Sequence, residues 1–197
     1  MKLLERPILW IVAGPNGSGK SSLYGNADIS AFDQSVWIIN PDMLTARIQS
    51  EEGLAPHDAN IAAVTRIETW LDASIETHQT VGVETVLSTP KYRRLVNAAR
   101  AKGYEFRFIY VVLNSVELNI ERVAIRVKKG GHDVPEDSIR KRWSRSLGQM
   151  PWFMSMADRA WIFNNSGEAP VLIGQKSAGV VSLDPSAPEF IQSAFKI

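Results

Sequence analysis

The stretch GPNGSGKSS, residues 14–22, follows the apolar run PILWIVA, residues 7–13. Glycines in such a loop let backbone N–H groups converge on phosphate oxygens, and the positive end of a following helix adds to the attraction. The apolar run predicts a buried strand before the loop, and a helix is expected to begin after it. The loop therefore predicts a site for nucleotide phosphates rather than a glycine-rich turn without a ligand. It matches the phosphate-binding pattern G-x-x-x-x-G-K-[ST] at Gly14, Gly19, Lys20 and Ser21.

The chemistry of this loop assigns roles to two of its side chains. Lys20 is expected to reach the β- and γ-phosphates of ATP, or of another nucleoside triphosphate, and is a candidate catalytic residue. The hydroxyl of Ser21 is expected to coordinate Mg²⁺, the cation that accompanies such a nucleotide. The predicted nucleotide-binding residues are Gly14, Pro15, Asn16, Gly17, Ser18, Gly19, Lys20, Ser21 and Ser22.

The composition limits the classes of protein to which the chain can belong. Its 197 residues suffice for one substantial core, and we expect a single domain over residues 1–197. The absence of cysteine excludes disulfides, thiolate metal sites and cysteine nucleophiles. A formal net charge of +1 provides no overall field for nucleic acid or an anionic membrane. Charged residues interrupt the apolar N-terminus, and no segment approaches the roughly 20 apolar residues that span a bilayer, so we expect a cytoplasmic protein.

Short apolar runs alternate with longer helical patterns, which is typical of a parallel sheet covered by helices. Predicted strands cover residues 8–13, 36–40, 81–86, 106–113, 159–166 and 171–174. Predicted helices begin near residue 20 and cover residues 41–51, 58–78, 91–102, 115–129 and 133–143, with a short docked helix in the tail 185–197. Asn114 and Glu117 are expected to form a capping box. The predicted class is α/β, a P-loop NTPase or kinase-like three-layer sandwich with a mostly parallel sheet and a helical basic lid.

Two acidic residues lie at predicted strand ends, where open α/β sheets concentrate their chemistry. Asp42 comes just past the second strand in INPD, and Glu84 lies near the end of the third in VETVLSTP. Either carboxylate can take a proton from an acceptor hydroxyl or hold a metal through water. Alternatively, Asp42 is a helix N-terminal acid and Glu84 an ion-pair partner of a nearby base. Thr85 is a candidate contact for a hydroxylated substrate.

A basic segment, residues 115–150, is the second unusual feature of the chain. Between Arg122 and Arg145 there are eight lysine and arginine residues and three acidic residues. Arg122 and Arg126 are four residues apart and share one helical face. An arginine at a transferring phosphoryl group stabilises its transition state. Two glycines hinge the segment, which favours a lid that closes over the nucleotide above a solvated helical hairpin.

Histidine and tryptophan residues near the basic segment allow more than one interpretation. His132 is a candidate phosphate contact or a helix-capping residue. No two histidines lie at metal-ligand spacing, so we predict no protein-bound zinc. Trp143, Trp152 and Trp161 are compatible with base stacking on nucleic acid, but their apolar neighbours favour packing in the core.

Several segments occur in an order that resembles the zeta toxin family, in particular its compact bacterial branch of P-loop kinases. They are IVAGPNGSGKSSL, INPD, VETVLST, NIERVAIRVKKGGHDVPEDSIRKRWSRSL and DRAWIFNNS, within residues 8–166. The resemblance implies ATP or another nucleoside triphosphate, Mg²⁺, and transfer of the γ-phosphate to a hydroxyl. It implies UDP-N-acetylglucosamine, phosphorylated on its sugar 3′-hydroxyl, as the acceptor. It also implies a small antitoxin that blocks the nucleotide site.

Carried over by position, the resemblance gives Asp42 the activation of the acceptor hydroxyl and Arg122 a phosphate contact. It places Glu84 at the substrate pocket. A second acidic residue of the family, before Asp42, has no counterpart here. The family's second lid arginine has no match in GGHDVP, which leaves Arg126 and Arg140 as alternatives. The candidate catalytic residues are therefore Asp42, Lys20 and Arg122, the acceptor-binding candidates are Asp42, Glu84, Thr85, Arg126, His132 and Arg140, and the metal candidate is Ser21.

The first function hypothesis is an ATP-dependent kinase that phosphorylates a hydroxyl of a sugar nucleotide such as UDP-N-acetylglucosamine. The second is a nucleotide-dependent switch whose slow hydrolysis gates partner binding. The third is a polynucleotide 5′-kinase in which the basic segment follows the strand. The expected partners are a small-molecule acceptor and a separate antitoxin polypeptide, and neither nucleic acid nor a membrane is expected as a partner.

Overall fold

A seven-stranded sheet runs through the residues that this computed structural model describes, 6–26 and 38–195. The strands are β1 (Ile8–Ala13), β2 (Ile38–Ile39), β3 (Val81–Thr85), β4 (Glu105–Val112), β5 (Arg159–Asn164), β6 (Val171–Ser177) and β7 (Val180–Leu183). The helices are α1 (Lys20–Asn26), α2 (Pro41–Glu52), α3 (Pro56–Glu76), α4 (Tyr92–Ala101), α5 (Val116–Lys128), α6 (Glu136–Met156) and α7 (Glu189–Ala194). Residues 36 and 37 of the predicted second strand lie outside the described residues.

The strands follow the order β2-β3-β1-β4-β5-β6-β7 across the sheet. Neighbouring strands from β2 to β5 pair in parallel, whereas the pairs β5–β6 and β6–β7 are antiparallel. The chain therefore adds β3 on one side of β1 and β4 on the other. Ligands of open α/β sheets bind at the carboxyl ends of the strands where the order reverses in this way. The predicted α/β class with a mostly parallel sheet is confirmed, and the loop after β1 lies at the reversal point.

Residues of β1 alternate between two apolar clusters, because successive side chains of a strand point to opposite faces. Leu9 and Ile11 belong to the larger cluster, to which α3, α4, α6 and α7 contribute. Trp10 and Val12 belong to the smaller cluster, to which α1 contributes Leu23. Helices therefore pack on both faces of the sheet, in agreement with the predicted three layers.

Helix α6 is longer than the sequence indicated. The prediction ended at residue 143, whereas the helix continues to Met156 and contains Pro151. A proline inside a helix removes one backbone hydrogen bond and crowds the preceding turn. Burial of the adjacent Met150, Phe153 and Met154 in the larger cluster offsets this cost.

The three tryptophans of the sequence analysis pack against other aromatic rings, as predicted. Such pairs stabilise a core beyond the area that they bury. The ring pairs are Trp143 with Phe190, Trp152 with Phe153, and Trp161 with Trp10.

The start of α5 differs from the predicted capping box. The N-cap is Ser115, whose hydroxyl accepts the N–H of Leu118 at 3.2 Å. The side-chain oxygen of Asn114 instead accepts the amide of Asn164 at 2.7 Å and so ties the end of β4 to β5. The predicted capping box of Asn114 and Glu117 is therefore wrong, because Ser115 has the extended backbone that a cap requires.

The hairpin of β6 and β7 was not predicted beyond residue 174. Its two-residue turn consists of Ala178 and Gly179, with φ of 49° and 81°. Positive φ at both central residues is the geometry of a type I′ turn, whose twist matches that of two antiparallel strands. Ala-Gly is a weaker signal for this turn than Asn-Gly, which explains the omission.

The tail forms α7, and its Ile191 is fully buried in the larger cluster. The predicted short docked helix is confirmed. Within residues 6–26 and 38–195, no helix combines the length and the apolar character needed to cross a membrane.

Two isoleucines of α3 provide a test of this packing. Ile67 is 2% exposed in the larger cluster, whereas Ile61 is 52% exposed. We expect Ile67→Ala to lower the free energy of unfolding by about 2–5 kcal/mol, because it removes buried methylene groups and leaves a cavity. Ile61→Ala should change it by less than about 1 kcal/mol. Urea denaturation measures both, and equal losses would contradict the assignment of the buried face.

Candidate active site

The predicted phosphate-binding loop, residues 14–19, connects β1 to α1 at the carboxyl edge of the sheet. On one side, the N–H of Gly14 donates to the carbonyl of Thr85 in β3 at 3.2 Å. On the other side, a Cβ atom on Gly14 would lie 2.1 Å from the carbonyl oxygen of Val111 in β4. The first glycine of the pattern is therefore required by the packing of the loop between two strands.

Lys20, the first residue of α1, is 7% exposed and has its ammonium group against the loop. Its Nζ donates to the carbonyls of Gly14 at 2.9 Å and Pro15 at 3.2 Å. It also lies 3.9 Å from Oε1 of Glu84. The loop thus holds a buried positive charge at its base.

Charged groups from three other elements act on Lys20. Burial lowers the pKa of its ammonium group below the ordinary value, and the charge of Arg126 on α5 lowers it further. Glu84 at the end of β3 and Asp42 at the start of α2 oppose this and raise the pKa. The fold therefore brings together four of the predicted site residues, which lie far apart in the sequence.

Ser21 and Glu84 form a hydrogen-bonded pair beside the loop. Oγ of Ser21 donates to Oε2 of Glu84 at 2.8 Å. The side-chain amide of Asn40 donates to both partners, at 3.2 Å to Ser21 and 3.1 Å to Glu84. Hydroxyl and carboxylate oxygens are ligands that Mg²⁺ prefers, directly or through water. The structure therefore places Glu84 next to the predicted metal residue.

Asp42 lies in the first turn of α2 with an exposed side chain. Asn40 is the N-cap of this helix, and its Oδ1 accepts the N–H groups of Asp42 at 2.9 Å and Met43 at 3.3 Å. The same asparagine therefore contacts the Ser21–Glu84 pair through its amide and fixes the start of α2 through its oxygen. This link sets the position of the Asp42 backbone relative to the loop.

Arg122 projects from α5 toward the end of the loop. Its Nη2 donates to the carbonyl of Ser166 at 3.4 Å, and its Nη1 would lie 3.8 Å from a Cβ atom on Gly19. The neighbouring Asn165 donates its side-chain amide to the carbonyl of Ser18 at 2.9 Å. The predicted phosphate-contacting arginine is thus at the rim of the loop.

Arg126 and Arg140, the two alternatives for the second lid arginine, have different surroundings. The guanidinium of Arg140 donates to Glu117 at 2.9 Å and to Glu136 at 2.8 and 3.0 Å. The guanidinium of Arg126 donates to the carbonyl of His132 at 2.7 Å, and its charge acts on the loop lysine. Arg140 is therefore neutralised by two carboxylates, whereas the positive charge of Arg126 acts on Lys20 and lowers its pKa.

The glycine pair after α5 forms a turn around Arg126. The N–H of Gly130 donates to the carbonyl of Val127 at 2.9 Å, and that of Gly131 donates to Arg126 at 3.0 Å, the two bonds of a Schellman motif. A Cβ atom on Gly131 would lie 2.6 Å from Cγ of Arg126. The carbonyl of His132 contacts the guanidinium, and the imidazole is exposed. The turn therefore covers the arginine stem with backbone.

The contacts and exposure of Thr85 and Ser22 neither support nor contradict the roles predicted for them. The hydroxyl of Thr85 accepts the N–H of Leu87 at 3.1 Å, in a turn where Leu87 has a φ of 60°. Ser22 is exposed on α1. A contact of Thr85 with the acceptor and a contact of Ser22 with the nucleotide stay predictions.

Three asparagines that the sequence analysis did not assign to catalysis support this site. Asn40 precedes a proline at a helix start, which is a recognisable N-cap signal. Asn119 and Asn165 bond to loop carbonyls across sequence separations of 103 and 147 residues, and no spacing pattern indicates such contacts.

A comparison with protein-family models matches residues 2–171 to the family described as zeta toxin. The chain belongs to the zeta toxin family. The match confirms the resemblance drawn from the sequence segments, and the family supports the prediction of a phosphotransferase.

Three individual proteins are similar to this chain. An uncharacterized protein of Haemophilus influenzae is 29% identical over 149 residues, which are 71% of this chain and 100% of that protein. A structure from the PezAT chromosomal toxin–antitoxin system of Streptococcus pneumoniae has a TM-score of 0.66 at 16% identity, and covers 98% of this chain and 80% of its own. The AvrRxo1-ORF1:-ORF2 structure with ATP has a TM-score of 0.69 at 16% identity and covers 90% of this chain. This chain spans 60% of that protein, less than two thirds of its length. At these identities the two structures show a common fold.

Gly19 provides a test of the loop geometry. It has a φ of 84°, and a Cβ atom there would lie 2.2 Å from Nδ2 of Asn165. We expect Gly19→Ala to weaken binding of Mg-ATP by about tenfold or more, because an L-residue is strained at this φ and displaces the asparagine. Isothermal titration calorimetry measures the affinity. Gly148→Ala is the control, since a Cβ atom there would meet no heavy atom within 4 Å apart from its chain neighbours and its own helix backbone. Equal affinity of the two variants would contradict the prediction.

Proposed function

We propose that the protein is an ATP-dependent kinase that transfers the γ-phosphate to a hydroxyl group of a small molecule, with a sugar nucleotide such as UDP-N-acetylglucosamine as the acceptor. One observation carries the proposal: two carboxylates from different elements are tied to the loop. Glu84 lies 3.9 Å from Nζ of the buried Lys20, and Asn40, which donates to Glu84 at 3.1 Å, caps the helix whose first turn carries Asp42. A second, exposed carboxylate at a helix start supplies a group that can accept a proton from an alcohol.

The residues of the loop fit a nucleoside triphosphate with Mg²⁺. Oγ of Ser18, a hydroxyl that can donate to a phosphate oxygen, is buried and has no hydrogen-bond partner among the described residues. The N-terminus of α1 directs its free N–H groups into the same space. Ser21 and Glu84 supply oxygen ligands for the metal, the carboxylate through water. Mg²⁺, when bound, supplies positive charge that neutralises the phosphate oxygens.

Asp42 acts as the general base of the proposed reaction. Its carboxylate accepts the proton of the acceptor hydroxyl while the hydroxyl oxygen bonds to the γ-phosphorus. The bond from that phosphorus to the bridging oxygen breaks, and ADP leaves. The exposure of Asp42 at the start of α2 leaves its carboxylate open to an incoming substrate.

Three positive groups stabilise the charge of the transferring phosphoryl group. Lys20 contacts it from the loop, whereas Arg122 and Arg126 contact it from α5. Guanidinium groups suit this role because they present several donors in a fixed plane. The basic segment, residues 115–150, thereby borders the nucleotide within one kinase domain over residues 1–197.

We also propose a separate antitoxin polypeptide as a partner. The structural neighbour from Streptococcus pneumoniae belongs to a toxin–antitoxin system, which supports this proposal. A pull-down from the native cell should recover a small polypeptide that competes with ATP, and recovery of none would contradict it.

The reaction is tested with labelled ATP and a metabolite extract, followed by mass identification of the labelled product. We expect wild-type protein to label a small molecule with a free hydroxyl. Asp42→Asn should bind Mg-ATP within about threefold of wild type yet lower turnover by at least about a hundredfold, because it removes the general base.

Other outcomes of this experiment contradict the proposal. ATP consumption without a labelled product would favour a switch, and label on the 5′ end of an added oligonucleotide would favour a polynucleotide kinase. Turnover of Asp42→Asn within tenfold of wild type would exclude the general-base role.

Arg126 and Arg140 give a matched pair of variants. We expect Arg126→Ala to lower kcat by at least about a hundredfold, because an arginine at the transferred phosphoryl group stabilises its transition state. Arg140→Ala should change kcat by less than about threefold, because it removes exposed ion pairs of small energetic value. Steady-state kinetics with the identified acceptor measure both, and the reverse order would assign the role to Arg140.

A further inference from the structure

Asn119 lies on α5, the helix that carries the two arginines of the proposed site. Its side chain is fully buried, and Nδ2 donates to the backbone carbonyl of Asn16, within the phosphate-binding loop, at 2.6 Å. The other side-chain atom, Oδ1, is also buried and has no hydrogen-bond partner among the described residues. A buried acceptor without a partner destabilises the folded state, so the favourable contribution of this amide lies in the bond from Nδ2 to the loop.

The same turn of α5 touches the loop at a second point. A Cβ atom on Gly17 would lie 2.6 Å from the carbonyl oxygen of Asn119 and 3.2 Å from Cγ2 of Val123. Val123 is 2% exposed and packs with Val134 and Ile139. Helix and loop therefore meet backbone to backbone, with no side chain of Gly17 between them.

This contact sets the position of the arginines. Residues three, four and seven positions apart on a helix lie on neighbouring turns of one side. Arg122 and Arg126 follow Asn119 by three and seven positions, and both are placed at the loop by the same rigid helix. A shift of the helix start would move both guanidinium groups.

We propose that Asn119 is a positioning residue that fixes α5 to the phosphate-binding loop, so that Arg122 is held at the phosphoryl group. In this arrangement α5 is a fixed wall of the site, and the basic segment does not close as one unit over residues 115–150. The catalytic part of the proposal depends on the kinase function proposed above.

The variants are Asn119→Leu, which is similar in size and cannot donate, and Asn119→Ser, which is smaller and too short for the bond. We expect each to lower kcat by roughly tenfold to a hundredfold, because the carbonyl of Asn16 loses its donor and the helix is released. Asn97→Leu, at an exposed position of α4, is the control and should leave kcat unchanged. If Asn119→Leu fails to fold, Asn119→Ser carries the measurement.

A double-mutant cycle separates positioning from a general loss of structure. In a background that carries both Arg122→Ala and Arg126→Ala, Asn119→Ser should lower kcat by less than about threefold, because both arginines that α5 positions are gone. If Asn119→Ser lowers kcat by the same factor in this background as in the wild-type protein, the proposal is wrong.

Hydrogen exchange of the nucleotide-free protein tests the contact without any activity. In Asn119→Ser, amide protection should fall together in residues 14–19 and in α5, and stay unchanged in α4. Loss in the loop with full protection in α5 would overturn the inference. If wild-type protein transfers no phosphate but this joint loss is seen, the proposed function fails and the structural link stands.

Discussion

The active site depends on a steric constraint, the direct contact of the phosphate-binding loop with the backbone and side chains of three surrounding elements. Strand β4, helix α5 and the segment after β5 each approach the loop where a glycine lacks a side chain. The contacts are Gly14 with Val111, Gly17 with Asn119, and Gly19 with Asn165. Because these contacts hold the outer side of the loop, its inner side can present N–H groups to phosphate. The glycines of the pattern thus serve packing, in addition to the ligand binding that we propose for them.

The second constraint is the buried ammonium group of Lys20. A charge in this position is costly unless carbonyls and counter-charges surround it. The loop supplies two carbonyl oxygens, and Glu84 and Asp42 supply negative charge from the next strand and the next helix. Glu84 and Asp42 thus stabilise the charged lysine in the folded protein. The proposed reaction gives Glu84 the role of holding the metal and Asp42 the role of accepting a proton. Stability of the fold and assembly of the site therefore require the same neighbours.

The basic segment combines parts with different surroundings. Arg122 lies at the rim of the loop and the charge of Arg126 acts on Lys20, whereas the charge of Arg140 is compensated by carboxylates of α5 and α6. An excess of positive charge in the sequence therefore overstates the charge available to a phosphate. The turn of Gly130 and Gly131, which suggested a hinge, is occupied by backbone contacts to the stem of Arg126. These contacts favour an arginine that is held in place before any ligand arrives.

The amino-acid sequence by itself determined the α/β class, because that depends on local periodicity, and the family, because its motifs follow one another in order along residues 8–166. It also predicted the phosphate-binding loop, because that pattern lies in neighbouring residues. Asp42, Glu84 and Arg122 were recognised as candidates for the same reason, since each lies at a predicted strand end or in a motif. Tertiary structure alone decided that Glu84 meets Ser21 and that Glu117 and Glu136 compensate the charge of Arg140. It alone revealed the loop contacts of Asn119 and Asn165, which join residues more than 100 positions apart. Such contacts depend on the order of strands in the sheet, and no pattern within a single helix or strand encodes that order.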